Sequence, residues 1–495
     1  MTPRASTPTQ VDEAVDVLTA HKDEWARLAH PRRLSILSDL RRRIGAVADA
    51  WGAAGAVAKG IPVDSPTAGE EWLGGPYTTL LTVAALHRSI ARLWRGETTF
   101  DPDWVSPGPG GRILVNSVPV GLTERLLFSG YTGEVWIGPE HRATPLGSQT
   151  GAFYRESAPE GKVCVVLGAG NISAIPALDA LYKLFVEGQV VVVKMSPVLD
   201  YLGAIFERMF EPLIEPGFLR IVYGGGDVGA GLVAHPGVDT VHITGSEETF
   251  NTIVFGPGEE GRRRRAADQP LLAKPISSEL GGVSPLIVVP GPWNDADLRF
   301  QAELVATAKL QNAGFNCIAA QVMILPDGWE HTDAFVDRIE QTIAALPARA
   351  AYYPGAEDRC DAAIDSHGDV ALLGGEPPRA HLRSVPAGDP HPVFTEEVFA
   401  SVLASTRLPH RDPADFLAAA VHFANQRLHG TLGANLLIHP DTASKLGDRF
   451  TSAVTDLRYG CVAVNTWTGF GFGQPRLPWG AYPGNRRDAI GSGEG

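Results

Sequence analysis

The sequence predicts an α/β protein: a parallel sheet with helices on both faces, followed by a second α/β region. Two observations carry this. From Gly161 onward, short apolar runs at 163–167, 190–193, 219–223 and 240–243 alternate with helical stretches at 177–186 and 202–213. Continuous Val/Ile/Leu runs of this length suit strands buried on both faces, and strands separated by single helices pair in parallel. The alternation then restarts near Glu279, with an apolar run at 285–289, a helix ending near Leu310, a run at 322–325, a helix over 334–346, a further helix over 416–425 and a run at 461–464.

Before Gly161 the pattern differs. Residues 1–10 are Thr/Pro-rich and read as disordered, while 11–57 carry apolar residues at three- and four-residue spacings and read as helical. Gly and Pro break the pattern over 60–76, a second helix spans Thr78–Trp94, and 98–150 read as hairpins or irregular strands around 112–116 and Gly133–Ile137. The segment from Gly256 to Arg265, with four consecutive arginines, reads as a solvated surface loop, its alternative being contact with an anionic ligand.

With 495 residues, 44% of them hydrophobic, the chain is long enough for several cores. A net charge of −14 argues against a protein that binds nucleic acid by neutralising phosphates. The four cysteines, Cys164, Cys317, Cys360 and Cys461, lie far apart and form no disulfide framework. No apolar run approaches the ~18 residues of a membrane span, and the N-terminus lacks a signal-peptide core. A cytoplasmic, soluble, multi-domain protein is expected.

Several residues stand where chemistry is done. The run Gly224-Gly-Gly-Asp-Val-Gly229 follows a strand and fits G-x-G-x-x-G, but the next acid, Asp239, comes too early for a dinucleotide fingerprint, so a plain Gly-rich turn fits equally. Gly245 and Ser246 close a strand and open a helix whose free N–H groups suit either a phosphate or an ordinary N-cap. Cys317 sits between a helix end and a strand, where a thiol can act as a nucleophile; Cys164 and Cys461 lie in apolar strands and Cys360 in a polar helix. No His/Cys spacing suggests a metal.

Read in order, these pieces resemble the aldehyde dehydrogenase superfamily. Gly168-Ala-Gly-Asn171 and the following Ile-Ser-Ala-Ile-Pro176 are similar to P-W-N-x-P, and Val191-Val-Val-Lys194-Met-Ser-Pro to V-V-x-K-P-S-E. The stretch from His235 to Ser246 resembles H-P-x-V-x-x-V-x-F-T-G-S, and Glu279-Leu-Gly-Gly-Val-Ser-Pro285 resembles E-L-G-G-K-S-P. Asn312-Ala-Gly-Phe-Asn-Cys317 resembles the family's cysteine segment, Glu396-Glu-Val-Phe399 its E-E-I-F, and 424–432 its A-N-x-x-x-Y-G-L, so the likeness covers roughly 150–482.

The resemblance implies oxidation of an aldehyde to a carboxylic acid with NAD or NADP. Cys317 would be the nucleophile, its backbone N–H and Asn171 the oxyanion donors, and Glu279 the base for hydrolysis. Lys194 and Glu397 would hold the cofactor's riboses, Phe399 would pack near the nicotinamide, Gly245 and Ser246 would meet the pyrophosphate, and Gly225 would line the adenine side. It further implies a cofactor domain (1–132 and 161–278), a catalytic domain (279–465) and an oligomerisation element (133–160 and 466–495).

Four departures modify that expectation. Phe250 replaces a family Gly and would bulk the helix start beside the pyrophosphate. The Arg262–Arg265 run lies in an insertion. Pro197 replaces the acid that favours NAD, leaving NADP admissible. The chain ends soon after Pro478-Trp-Gly480, so 491–495 reads as an interrupted tail and a homo-oligomer, dimer or tetramer, would be weakened. Two other readings stay open: a CoA-dependent acylating aldehyde dehydrogenase or acyl-CoA reductase, disfavoured by Glu279, and a non-catalytic homologue acting as a binding protein.

Overall fold

The computed structural model describes residues 4–143 and 145–494. The chain forms two compact units. The first runs to Ser278 and takes in Gly473–Pro478; the second holds Glu279–Phe472 and the chain from Trp479 onward.

The first unit is built on a five-stranded sheet, in the order Leu219–Val222, Val190–Lys194, Val163–Leu167, Thr240–Gly245 and Ile276–Leu280. The strand pairs on both sides of Val163–Leu167 are parallel, and Val163 through Val166 and Val190 through Val193 are almost wholly excluded from solvent. This is the burial on both faces that their unbroken apolar character requires. Helices Pro8–Ala26 and His30–Ala58 bring Trp25 and Trp51 into the same core. Each buried indole donates its N–H, Trp25 to the Leu184 carbonyl at 3.1 Å and Trp51 to Ser173 Oγ at 2.9 Å. A three-stranded antiparallel ribbon (Val105–Pro107, Ile113–Val118, Gly133–Ile137) belongs to this unit. Arg476 fastens the Gly473–Pro478 segment to it, donating to the Ser117 carbonyl at 2.9 Å and pairing with Glu124.

Three expectations for this unit are corrected. Residues 8–10 are helical, because Thr7 forms a capping box with Gln10 and Pro8 occupies the first helical position. The arginine run is not a loop but lies in helix Gly258–Ala266, where Arg263 pairs with Glu259, Arg264 with Glu260 and Arg265 with Glu247, so three of the four arginines already face carboxylates. Phe250 is 1% exposed and turns into the core, so it does not crowd the helix start.

The second unit has a seven-stranded sheet in the order Val370–Leu372, Ala380–Leu382, Val402–Leu408, Ala320–Pro326, Ser284–Val288, Gly433–Leu437, Cys461–Val464. All neighbours are parallel except the edge pair Val370–Leu372 and Ala380–Leu382. Strands Val402–Leu408 and Gly433–Leu437 were not apparent from sequence. Ser405, Thr406 and Asn435 dilute their apolar runs, yet all three are buried and hydrogen-bonded. Within 491–495, expected as an interrupted tail, Ser492 is built into this unit. Ser492 is fully buried, donating through Oγ to the Gly281 carbonyl at 2.9 Å and accepting from Thr431 N–H at 2.8 Å, while its carbonyl accepts from Leu280 N–H at 2.9 Å. No described helix is long and apolar enough to cross a membrane.

Ser492→Ala should leave the Gly281 carbonyl and the Thr431 N–H unpaired, at ~1–3 kcal/mol for such buried groups. A thermal melt should show a midpoint several degrees below wild type; an unchanged midpoint would mean the serine is dispensable.

Candidate active site

Cys317 follows helix Asp295–Leu310 through a turn in which Asn312 (φ 53°), Ala313 (φ 56°) and Gly314 (φ 81°) are consecutively left-handed. Two non-glycine residues in that region cost of order 1–3 kcal/mol each and persist only where the surroundings impose them. Here they do. The Asn312 side-chain N–H groups donate to the Phe315 carbonyl and to Tyr352 Oη, both at 2.9 Å, and Tyr352 donates back to Asn312 Oδ1 at 3.1 Å. Ser401 Oγ donates to the Ala313 carbonyl at 2.8 Å, and Gly314 lies where a Cβ would be 2.7 Å from the Ala400 carbonyl oxygen. Phe315 anchors the turn against Tyr352 and Phe399, with ring centroids 5.0 and 5.9 Å away.

Two carboxyl groups converge on the partly exposed thiol. Glu279 lies close enough to bear on the Cys317 thiol, which itself donates to Asn316 Oδ1 at 3.8 Å, and accepts from Trp479 Nε1 at 3.2 Å. Glu397 is placed by Gln321, which donates to the Val393 carbonyl at 2.9 Å and the Glu396 carbonyl at 2.8 Å and accepts from Val398 N–H at 2.9 Å. Its carboxylate fills the space where a Gly281 Cβ would stand, 2.2 Å away, and accepts from Gly282 N–H. Its Oε1 is buried without a hydrogen bond. Burial, then the charges of Glu279 and Glu397, push the Cys317 thiol well above its ordinary range. Burial likewise raises Glu397 to about 8, with Glu279 adding to the rise. Phe399, after this segment, is left-handed (φ 47°), and Arg359 Nε donates to the neighbouring Val398 carbonyl at 2.9 Å.

The remaining candidates lie in the first unit. Asn171 is 6% exposed in the turn after strand Val163–Leu167. Lys194 ends its strand half-buried; burial lowers its ammonium, and the charge of Asp227 opposes that. Gly225 caps helix Gly226–Ala234, and a Cβ at Gly226 would meet nothing within 4 Å. Gly245 is exposed beside Ser246, whose Oγ accepts from Thr249 N–H at 3.2 Å as an N-cap. Open glycine backbone beside a half-buried ammonium fits the adenosine part of a dinucleotide. Ser246 fits a phosphate less well, since its oxygen is taken and Glu247 and Glu248 occupy the first turn. Among the described residues no group of His, Cys, Asp and Glu could hold a metal ion.

The sequence reading named Cys317, Glu279 and Glu397 as functional, and the second unit brings all three together. It missed Trp479, Gln321 and Ser492 as supports. Gln321 stood inside the motif already quoted, whereas nothing local marks Trp479 or Ser492.

Residues 134–356 match the family profile described as "Aldehyde dehydrogenase family". The chain is 26% identical over 344 residues to a 3,6-anhydro-alpha-L-galactose dehydrogenase of Streptomyces coelicolor, covering 69% of this chain and 55% of that protein. It is 28% identical over 302 residues to N-succinylglutamate 5-semialdehyde dehydrogenase 1 of Caulobacter vibrioides, covering 57% of this chain and 60% of that protein. The alignment thus spans somewhat over half the length of these curated relatives. Among solved structures, aldehyde dehydrogenase C of Pseudomonas syringae, crystallised with NAD+ and octanal, superposes with a TM-score of 0.68 at 18% identity, over 99% of this chain and 87% of that one. The fold is therefore that of aldehyde dehydrogenases, and residues 134–356 carry that family's sequence profile.

The pH dependence of iodoacetamide alkylation, followed at Cys317 by mass spectrometry, should give an apparent thiol pKa above the ordinary ~8.5. Glu279→Gln removes a negative neighbour, so the thiolate becomes easier to form and the profile should move to lower pH. A wild-type profile at or below the ordinary value, or no downward movement in the variant, would contradict the electrostatics described.

Proposed function

We propose that the protein oxidises an aldehyde to the carboxylic acid with NAD or NADP, through a thiohemiacetal and then a thioester on Cys317. The observation that carries this reading is the convergence of the Glu279 and Glu397 carboxyl groups on the Cys317 thiol, on a turn held rigidly in a strained conformation. Relatives named as dehydrogenases of aldehydes, and neighbours solved with NAD+ or its phosphate, support it.

Glu279 takes the thiol proton as sulfur attacks the carbonyl carbon, so the thiolate forms only as the new C–S bond does. The Cys317 backbone N–H and the Asn171 amide receive the developing oxyanion. A bound nicotinamide would supply the hydride acceptor needed to take the adduct to a thioester. Glu279, once it has passed the thiol proton to solvent, takes a proton from water, whose oxygen displaces sulfur; that proton returns to the leaving sulfur as the acid is released. Lys194, Gly225 and Gly245 would hold the adenosine side, with Ser246 the weaker contact on the phosphate side; Glu397 and Phe399 would hold the nicotinamide side. Asp227, the carboxylate that opposes the desolvation of Lys194, would repel a 2′-phosphate and takes up part of the role left vacant by Pro197. The Arg262–Arg265 helix, being mostly paired, does not supply a phosphate site.

Cys317→Ala should abolish formation of reduced cofactor while leaving cofactor affinity intact. Glu279→Gln should slow both the formation of reduced cofactor and the release of acid, because the same carboxyl takes the proton in both steps. Full steady-state activity of Cys317→Ala would overturn the assignment. Unchanged turnover of Glu279→Gln, with acceleration by coenzyme A, would favour the acyl-transferring reading instead.

In a separate assay, Asp227→Asn should narrow the gap between the kcat/KM values for NAD and NADP. An unaltered ratio would mean that Asp227 does not sense the ribose.

A further inference from the structure

The turn carrying Asn171 is held by residues far from any motif in the sequence. Lys59 ends helix His30–Ala58 with only 3% of its surface exposed. Its Nζ donates to Glu71 Oε1 at 2.7 Å and to the backbone carbonyl of Asn171 at 3.1 Å. Glu71, also 3% exposed, reaches this position because Gly55 has no side chain: a Cβ there would lie 2.4 Å from Glu71 Oε2. One turn earlier, Gly52 leaves the same kind of space for Trp72, whose Nε1 lies 2.7 Å from where its Cβ would be. Two glycines on one helix face thus form the slot that admits the short helix Gly69–Trp72 and its carboxylate.

The far end of the turn is held from the same layer. Ser173 Oγ accepts from Trp51 Nε1 at 2.9 Å and donates to the Gly74 carbonyl at 3.3 Å, and Ala174 N–H donates to that carbonyl at 2.9 Å. Burying two opposite charges is costly, and well-packed apolar residues would hold these helices together at least as well. Gripping the Asn171 carbonyl takes a hydrogen-bond donor, which apolar residues lack, and the Glu71 carboxylate keeps the buried ammonium charged and aimed at it.

We propose that Lys59, oriented by Glu71, is a positioning residue that fixes the Asn171 peptide and so the Asn171 side-chain amide, the oxyanion donor of the proposed reaction. This rests on the role given to Asn171 above. A misplacement on the ångström scale at such a donor is enough to slow a reaction about 10²-fold.

The test is the double variant Lys59→Met/Glu71→Gln, which removes both charges together. Lys59→Met alone would strand a buried carboxylate and invite unfolding. Two readouts are taken on the folded double variant. Amide hydrogen exchange over 171–174, measured without cofactor, should speed up about tenfold or more. The pre-steady-state burst of reduced cofactor should slow by about tenfold or more, while cofactor affinity stays within about twofold. Unchanged exchange, or a burst rate within about twofold of wild type, overturns the proposal. Failure of the functional reading looks different: wild-type protein would then give no burst with any aldehyde, while the exchange result would still report whether Lys59 holds the turn.

Discussion

The candidate site depends on a place where the second unit leaves no room for a side chain. At Gly281 a Cβ would collide with the Glu397 carboxylate, and at Gly282 it would meet Ser492 Oγ at 2.8 Å and the Gly430 Cα at 3.1 Å. Gly430 is left-handed (φ 94°) and a Cβ on it would stand 2.6 Å from the same Ser492 oxygen. The strand that presents Glu279, the segment that presents Glu397 and the chain near its C-terminal end therefore interlock through missing side chains. Ser492 converts that closeness into hydrogen bonds. The proximity of the two carboxylates to Cys317 follows from this interlock, and the pKa shifts follow from the proximity.

Those shifts define how the thiol is kept. A cysteine paired with a cation is stored as thiolate, weakly basic and correspondingly less nucleophilic. Cys317 is stored the other way, protonated beside two acidic groups, with Lys309 and Arg359 offsetting charge at Glu397 instead of at the sulfur. The thiolate fraction at neutral pH is small, but a thiolate of raised pKa is intrinsically the stronger nucleophile. Such an arrangement works only if the proton leaves as the bond forms, which demands a base already beside the sulfur. Glu279 meets that demand, and the same carboxylate is then free to activate water.

How much of this was legible depended on whether the signal was local. Strands such as Val163–Leu167 and Val190–Lys194 were apparent because both faces are buried and nothing polar interrupts them. Val402–Leu408 was not, because Ser405 faces His381 and Thr406 donates to the Val385 carbonyl, polar residues satisfied by partners distant in the chain. The arginine helix was mistaken for a loop because glycines and charges dominate it, and the i,i+4 spacing of Glu259–Arg263 and Glu260–Arg264 was overlooked. Cys317, Glu279 and Glu397 were found because each lies in a motif. Their neighbourhood was not, since it is made by backbone closeness at glycines and by residues two hundred positions apart, such as Trp479 and Glu279.

The N-terminal helices show the same limit on a larger scale. The family match begins at residue 134, which alone would suggest that the preceding helices are an appendage. Their packing says otherwise. Trp25 and Trp51 are fully buried in one core with the strands at 163–167 and 190–194, and Trp25 supplies the hydrogen bond that satisfies the Leu184 carbonyl. Removing these helices would expose one face of a sheet whose residues are apolar on both, a surface that water does not tolerate. The first unit therefore reaches back well before the matched region, and the turn bearing Asn171 is shaped as much by residues 51–77 as by the strand that precedes it.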